Sequence, residues 1–133
     1  MSVVLVVEDD EQVRVLAESV LQAAGHAAIC ATGVEGTVAL LQSGKPVDVL
    51  FIDLVLGADP EAGLKVAQEA KAMRPDLSVL YTTGGGINAG IEALFVKPSL
   101  FLPKPYTVEQ LTKSVAFLLL NSGPRPKASI PSL

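Results

Sequence analysis

Four places in this chain carry side chains that could act together on a charged group: Glu8-Asp9-Asp10, Asp53, Thr83 and Lys104. Each closes a short apolar run. The clearest is Val47-Asp48-Val49-Leu50-Phe51-Ile52-Asp53, in which four apolar residues lead straight into a carboxylate. So short and apolar a run reads as a strand buried on both faces, as in a parallel sheet. Open α/β sheets keep their ligands at the carboxyl ends of such strands. Carboxylates gathered there repel one another, and at least one would have its pKa raised. A divalent cation relieves that repulsion. Oxygen ligands, few in number and with room for water and a phosphate, suit magnesium better than zinc or calcium, with manganese as a substitute. A carboxylate nucleophile can take up a phosphoryl group as an acyl phosphate. That transfer needs positioning and charge neutralisation above all. Asp53 is therefore the candidate nucleophile, Lys104 a point charge for the phosphoryl group, and Thr83 a hydroxyl for another of its oxygens.

Taken singly, each residue has an ordinary reading. Either Asp9 or Asp10 suits the N-cap of a helix, Thr83 a turn, and Lys104 a solvated charge. The joint pattern is more specific, because four strand ends present complementary chemistry at one rim.

The elements that must bring these residues together can be read in order. Val3 to Val7 is a buried strand. A helix from about Glu11 to Ala24 follows, with Val13, Leu16, Ala17, Val20, Leu21 and Ala24 as one apolar stripe. Gly25 ends it. Ala27 to Ala31 is a weaker strand suited to a sheet edge. Thr32-Gly33-Val34-Glu35 reads as a capping box for a second helix that ends near Gly44. Val47 to Ile52 is the third strand, and Leu54 to Asp59 a loop. Asp59-Pro60 reads as the N-cap and first turn of a third helix running to about Arg74. Val79 to Thr82 is a fourth strand, followed by Thr83 and Gly84 to Gly86. A short helix around Asn88 to Phe95 is weakened by Gly90. Leu100 to Leu102 is a fifth strand. Thr107-Val108-Glu109-Gln110 is a second capping box, opening a helix with Val108, Leu111, Val115, Leu118 and Leu119 on one face. Strands alternating with helices predict a single doubly wound, five-stranded parallel α/β sheet of order 2-1-3-4-5, a flavodoxin-like arrangement. The domain spans residues 1–121, and 122–133 read as a Pro-rich flexible tail or linker stub.

Composition narrows the function classes. The chain has 133 residues, half of them apolar and 18% charged, which suits one globular domain. Its net charge of −4 argues against a nucleic-acid surface. No apolar run reaches the ~18 residues of a membrane span, and no signal peptide opens the chain. The single cysteine, Cys30, cannot form an internal disulfide, so a reducing cytoplasm is the default and Cys30 a small buried apolar residue. His26, the only histidine, falls at a turn away from the acids and reads as a surface residue.

On Val6-Val7-Glu8-Asp9-Asp10, Asp53, Thr83-Gly84 and Lys104-Pro105, the chain resembles the receiver domains of two-component response regulators, from Val3 to about Leu120. The resemblance implies that Asp53 is the phosphoacceptor, Asp9 a direct magnesium ligand and Glu8 an acid acting through water. It assigns the third protein ligand to the backbone carbonyl of Val55. Thr83 becomes the switch hydroxyl, Lys104 the phosphoryl-binding lysine, and Phe101 the aromatic that turns inward on activation. The implied partners are a histidine kinase or histidine phosphotransfer protein and an unidentified downstream protein. Homodimerisation through the fourth helix, fifth strand and fifth helix is a further expectation. No metabolite is turned over. Output is expected through another protein or a phosphate relay.

Two features depart from the family pattern. The pair after the phosphoacceptor is Leu56-Gly57 instead of a Met-Pro-like pair. The glycine expected eight residues beyond it is Gly63, ten residues on, so the intervening loop is about two residues longer. The run Gly84-Gly85-Gly86 is also unusual. An aspartate-based phosphohydrolase would carry a second aspartate where Val55 stands, and Val55 cannot shuttle a proton. Apolar Val55 also gives poor support to an attacking water, so the phosphorylated form is expected to hydrolyse slowly. A dinucleotide site on Gly84-Gly85-Gly86-Ile87-Asn88-Ala89 would follow the wrong strand and lack its acidic partner. A receiver fold that only docks, without accepting phosphate, remains the alternative of the same fold.

Overall fold

The computed structural model describes residues 1–121; the expected tail, 122–133, lies outside the described residues. The elements are β1 (Val3–Val7), α1 (Glu11–Ala23), β2 (Ala27–Ala31), α2 (Val34–Gln42), β3 (Val49–Asp53), α3 (Ala62–Met73), β4 (Ser78–Thr83), α4 (Ala89–Glu92), β5 (Ser99–Pro103) and α5 (Val108–Asn121). The strands form one parallel sheet of order β2-β1-β3-β4-β5, as expected. Among the described residues, no helix is long and apolar enough to cross a membrane.

The inner strands β1, β3 and β4 bury both faces, which is why their runs look continuously apolar, while the edge strands β2 and β5 are only half-buried. Leu5, Val7, Leu50, Ile52, Val79 and Tyr81 pack with α2 and α3 residues such as Leu41, Leu64 and Ala67. Val4, Val6, Val49, Phe51 and Leu80 pack with Ala17, Leu21, Leu111, Val115 and Leu118 of α1 and α5. The two-residue period then sorts the functional residues by face. Asp53 falls on the α1–α5 side with Val49 and Phe51. Continuing β1 and β5 by one step puts Glu8 and Lys104 on that same side, in line with Val6 and Leu102. Thr83 falls on the other side, in line with Tyr81, and the β4–β5 register pairs Tyr81 with Phe101.

Gly63 sets the position of α3. A Cβ added there would lie 2.2 Å from the Asp53 carbonyl oxygen and 2.6 Å from Leu54 Cα, so only glycine admits this approach. The Gly63 N–H donates to Leu54 O at 2.9 Å, locking the helix start against the end of β3.

Local details differ from expectation at several helix ends. The α2 N-cap is Gly33, without a side-chain cap, so the Thr32 capping box does not form; the Thr37 hydroxyl instead donates to Gly33 O at 2.8 Å. The α3 N-cap is Glu61, not Asp59. Asp59 is spent earlier, pairing its backbone with Leu56 and accepting the Glu61 N–H on Oδ1 at 2.9 Å. β3 starts at Val49, not Val47, because Asp48 turns its carboxylate onto the Val3 N–H at 2.8 Å. α4 is a single turn capped by Asn88, shorter than expected. The Thr107–Gln110 box forms reciprocally, at 2.9 and 3.0 Å. Three residues assigned to apolar stripes are open to solvent: Leu16, 60% exposed, Val108, 61% exposed, and Ala24. Cys30 is half-buried and packs on the α1–α5 cluster, short of full burial.

Candidate functional site

The carboxyl ends of β1, β3 and β5 bring Glu8, Asp53 and Lys104 into one cluster. Asp53 and Glu8 are buried, at 5% and 4% exposure. Lys104 Nζ lies 2.6 Å from Asp53 Oδ2 and 2.8 Å from Glu8 Oε1. The other oxygen of Asp53, Oδ1, accepts the Val55 N–H at 2.9 Å. Glu8 Oε2 accepts the Asp10 N–H at 3.2 Å. Both buried carboxylates are thus answered on both oxygens, as buried charge requires.

These surroundings shift the titration of the cluster. Burial pushes the Glu8 carboxyl above the usual carboxylate range, against the opposing pull of Lys104. Burial works to lower Lys104, but its hydrogen bonds to Asp53 and Glu8 outweigh that and hold its pKa above the ordinary lysine value.

Asp9 stands apart from Asp10. Asp10 is the α1 cap: its Oδ1 accepts the N–H groups of Gln12 and Val13 at 2.9 and 3.2 Å. Asp9, one residue earlier, is exposed. Its Oδ2 accepts the Gly57 N–H from the loop after β3, at 2.8 Å. That hydrogen bond is the leading reason its carboxyl titrates below the usual range.

Thr83 ends β4, buried, and its carbonyl accepts the Lys104 N–H at 3.0 Å. Phe101 is half-buried on the same face of the sheet. It joins an aromatic series in which Phe95 stacks on Tyr81 at a 3.9 Å centroid distance and lies 6.3 Å from Phe101. The Tyr81 hydroxyl accepts the Val96 N–H at 3.0 Å, tying the segment after α4 to β4. Val55 is 38% exposed beside Asp53.

The acids suit a hard cation. Magnesium keeps several waters and takes only one or two carboxylates from a protein. Asp9 and Asp53, with the Val55 carbonyl, make an all-oxygen set of that kind. Among the described residues no three His, Cys, Asp or Glu side chains form a closed metal cage, and a water-completed site needs none.

Gly57, Tyr106 and Arg14 were not singled out by sequence. Tyr106 packs edge-on against Phe51, 5.7 Å between centroids, and its pKa is raised by burial and then by the Glu8 charge. Arg14 donates to Glu8 O at 3.1 Å. The adjacency of Tyr106 to Lys104-Pro105 was a signal for the first. A glycine in a lengthened loop was a weak one for Gly57. Arg14 had none.

Comparison with known proteins shows what the chain as a whole is similar to. The response regulator receiver domain model matches residues 4–116. The chain is 31% identical over 119 residues to the sensor kinase CckA of Brucella abortus, covering 87% of this chain and 12% of that protein. It is 25% identical over 109 residues to the nitrogen assimilation regulatory protein NtrX of Azorhizobium caulinodans, covering 81% of this chain and 24% of that protein. The chain thus spans a quarter or less of these two relatives. Among solved structures, a response regulator receiver protein from Sinorhizobium medicae superposes with a TM-score of 0.83 at 25% identity, covering 92% of this chain and 97% of that one. A CheY-like receiver domain protein from Methanospirillum hungatei gives a TM-score of 0.82 at 16% identity over 92% of this chain and 96% of the other, a likeness of fold.

Proposed function

Since this chain belongs to the response regulator receiver domain family, we propose that Asp53 accepts a phosphoryl group from a phosphohistidine donor and that the modified domain switches its protein partners. The observation that carries this reading is the setting of Asp53. It is a buried carboxylate at a strand end, with Oδ1 oriented by the Val55 N–H and Oδ2 matched to a lysine that also holds Glu8. An Asp53 oxygen attacks phosphorus as the donor's N–P bond breaks. The donor's imidazole, protonated on its other ring nitrogen, takes the electron pair of that bond and leaves as a neutral ring, and an acyl phosphate remains. Lys104 supplies counter-charge to the incoming oxygens. Magnesium, when held by Asp9, Asp53 and the Val55 carbonyl, neutralises charge on the phosphoryl group.

The approach side supports access by a protein donor. A cleft of about 420 Å³ lies beside Lys104, lined by Val13, Leu16, Gly84, Pro105 and Tyr106. Its apolar wall explains why Leu16 is left exposed: a helix bearing the phosphohistidine could cover it. The readout is assigned to the opposite face of the sheet. There Thr83 and Phe101 share the face of Tyr81, so a shift of the Thr83 hydroxyl toward the phosphoryl group is passed to the aromatic series and the α4–β5–α5 surface. A downstream protein or a second copy would read that surface.

The test is intact mass after incubation with magnesium and acetyl phosphate, beside Asp53→Asn. A magnesium-dependent gain of one phosphoryl group, lost in the variant, is expected. A folded wild-type protein that gains nothing from this donor, nor from a phosphorylated histidine protein, would reduce the domain to a docking module.

A further inference from the structure

The loop after Asp53 is longer than the resembled pattern, and it is built. Leu56 and Asp59 pair antiparallel, each N–H donating to the other's carbonyl at 3.2 Å. Between them Gly57 has φ of +63° and Ala58 an ordinary negative φ, the pattern of a type II′ turn with glycine first. The turn is secured on both sides. Leu56 is buried at 6% exposure, and Asp59 accepts the Glu61 N–H. The extra length therefore forms a short, pinned hairpin, and its leading amide meets Asp9 across 48 residues of sequence at 2.8 Å.

We propose that the Gly57 N–H is the positioning group for the metal-ligating carboxylate of Asp9, so that this turn sets how tightly the site holds magnesium. The inference rests on the functional reading above, through the role it gives Asp9. Asp9 is exposed, and without a partner its side chain would sample several rotamers. The hydrogen bond to Oδ2 favours one orientation, and the carboxylate has a second oxygen to offer a cation. Donors that orient a ligating carboxylate in this way are worth 10- to 100-fold in metal affinity, by order of magnitude. The coupling is reciprocal: what the turn contributes to magnesium binding, magnesium returns as protection of the turn.

The experiment is a magnesium titration without any phosphodonor, followed by backbone amide shifts of labelled protein. Gly57→Pro removes the N–H and cannot adopt a positive φ. Gly57→Asn keeps the N–H, and asparagine is the residue most often found at positive φ after glycine, at some cost to the turn. The expected result is a loss of about 10-fold or more in magnesium affinity for Gly57→Pro, a clearly smaller loss for Gly57→Asn, and a lowered melting temperature for both magnesium-free variants, larger for Gly57→Pro, whose fixed negative φ breaks the turn. Unchanged or tighter binding in Gly57→Pro overturns the proposal. Should that variant fold poorly, hydrogen exchange of the Gly57 amide in the wild-type protein decides the matter. Exchange must slow on magnesium saturation, and indifference to magnesium overturns the proposal. Because no phosphoryl transfer is read, failure here leaves Asp53 as phosphoacceptor standing; a wild-type protein that binds no magnesium removes the metal from both readings.

Discussion

The Lys104 ammonium spans Glu8 and Asp53, 2.8 Å from Oε1 of one and 2.6 Å from Oδ2 of the other. One cation therefore answers two buried carboxylates at the ends of two other strands. Lys104→Met should leave both acids uncompensated. Removing one partner of a buried pair is costly, and Lys104 is partly exposed, so a loss of about 1–3 kcal/mol at pH 7 is expected. The pH dependence follows from the shifts. Glu8 is raised in the fold, so it favours folding below its ordinary value of 4.5 and loses that contribution as pH rises through its folded pKa. Without Lys104 that rise is larger. The deficit of Lys104→Met should thus be greatest at neutral pH and shrink toward pH 4, read from urea midpoints. In the wild type, Lys104 is raised, so its own contribution is complete below its ordinary 10.5 and fades only above it.

Asp9 and Asp10 are neighbours with separable roles. Asp10→Ala removes the α1 cap and should lower stability by about 0.5–2 kcal/mol while leaving phosphoryl acceptance intact. Asp9→Ala should do the reverse, abolishing magnesium-dependent phosphorylation in the intact-mass assay at little loss of stability. Equal effects of the two on phosphorylation would refute the division.

Gly63→Ala would drive a Cβ to 2.2 Å from the Asp53 carbonyl oxygen, a backbone atom that cannot rotate away. A loss of about 3 kcal/mol is expected, at the upper end of overpacking effects. Gly85→Ala is the control: a Cβ there meets nothing within 4 Å, and its φ lies outside the positive region. Its denaturation midpoint should shift by no more than about 0.5 kcal/mol.

Val55 presents an apolar side chain, 38% exposed, beside the nucleophile. It offers no hydrogen bond to an attacking water, so the acyl phosphate should be long-lived. Val55→Asn should shorten that lifetime several-fold, followed as loss of the phosphorylated mass after donor removal. An unchanged lifetime would show that water is positioned elsewhere.

Tyr81→Phe keeps the stack on Phe95 but removes the acceptor of the Val96 N–H. About 1–2 kcal/mol of stability should be lost, the penalty for stranding a half-buried donor. Exchange of the Val96 amide should quicken, which a general loss of packing would not single out.

Much of this molecule was legible in its residues. β1 falls where the apolar run lies, because a strand buried on both faces leaves an unbroken branched or apolar record. Right-handed crossovers and the alternation of strands with helices restrict the winding, and the resemblance to receiver domains supplied the order itself. The acids, threonine and lysine could be placed on one rim because each directly follows a strand. Contacts between distant loops were not legible. Whether Asp9 or Asp10 capped α1 was open until the backbone path gave Asp10 two amides and brought Gly57 to Asp9. The start of α3 moved past Asp59 because Gly63 must seat against β3, a constraint that lives between two elements. Leu16 and Val108 fit their helical stripes in periodicity, yet the stripe is wider than the sheet edge that covers it. Spacing along the chain encodes what each element is and which residues it delivers; which polar group meets which is settled by packing, where a few ångströms of backbone separate a cap from a ligand.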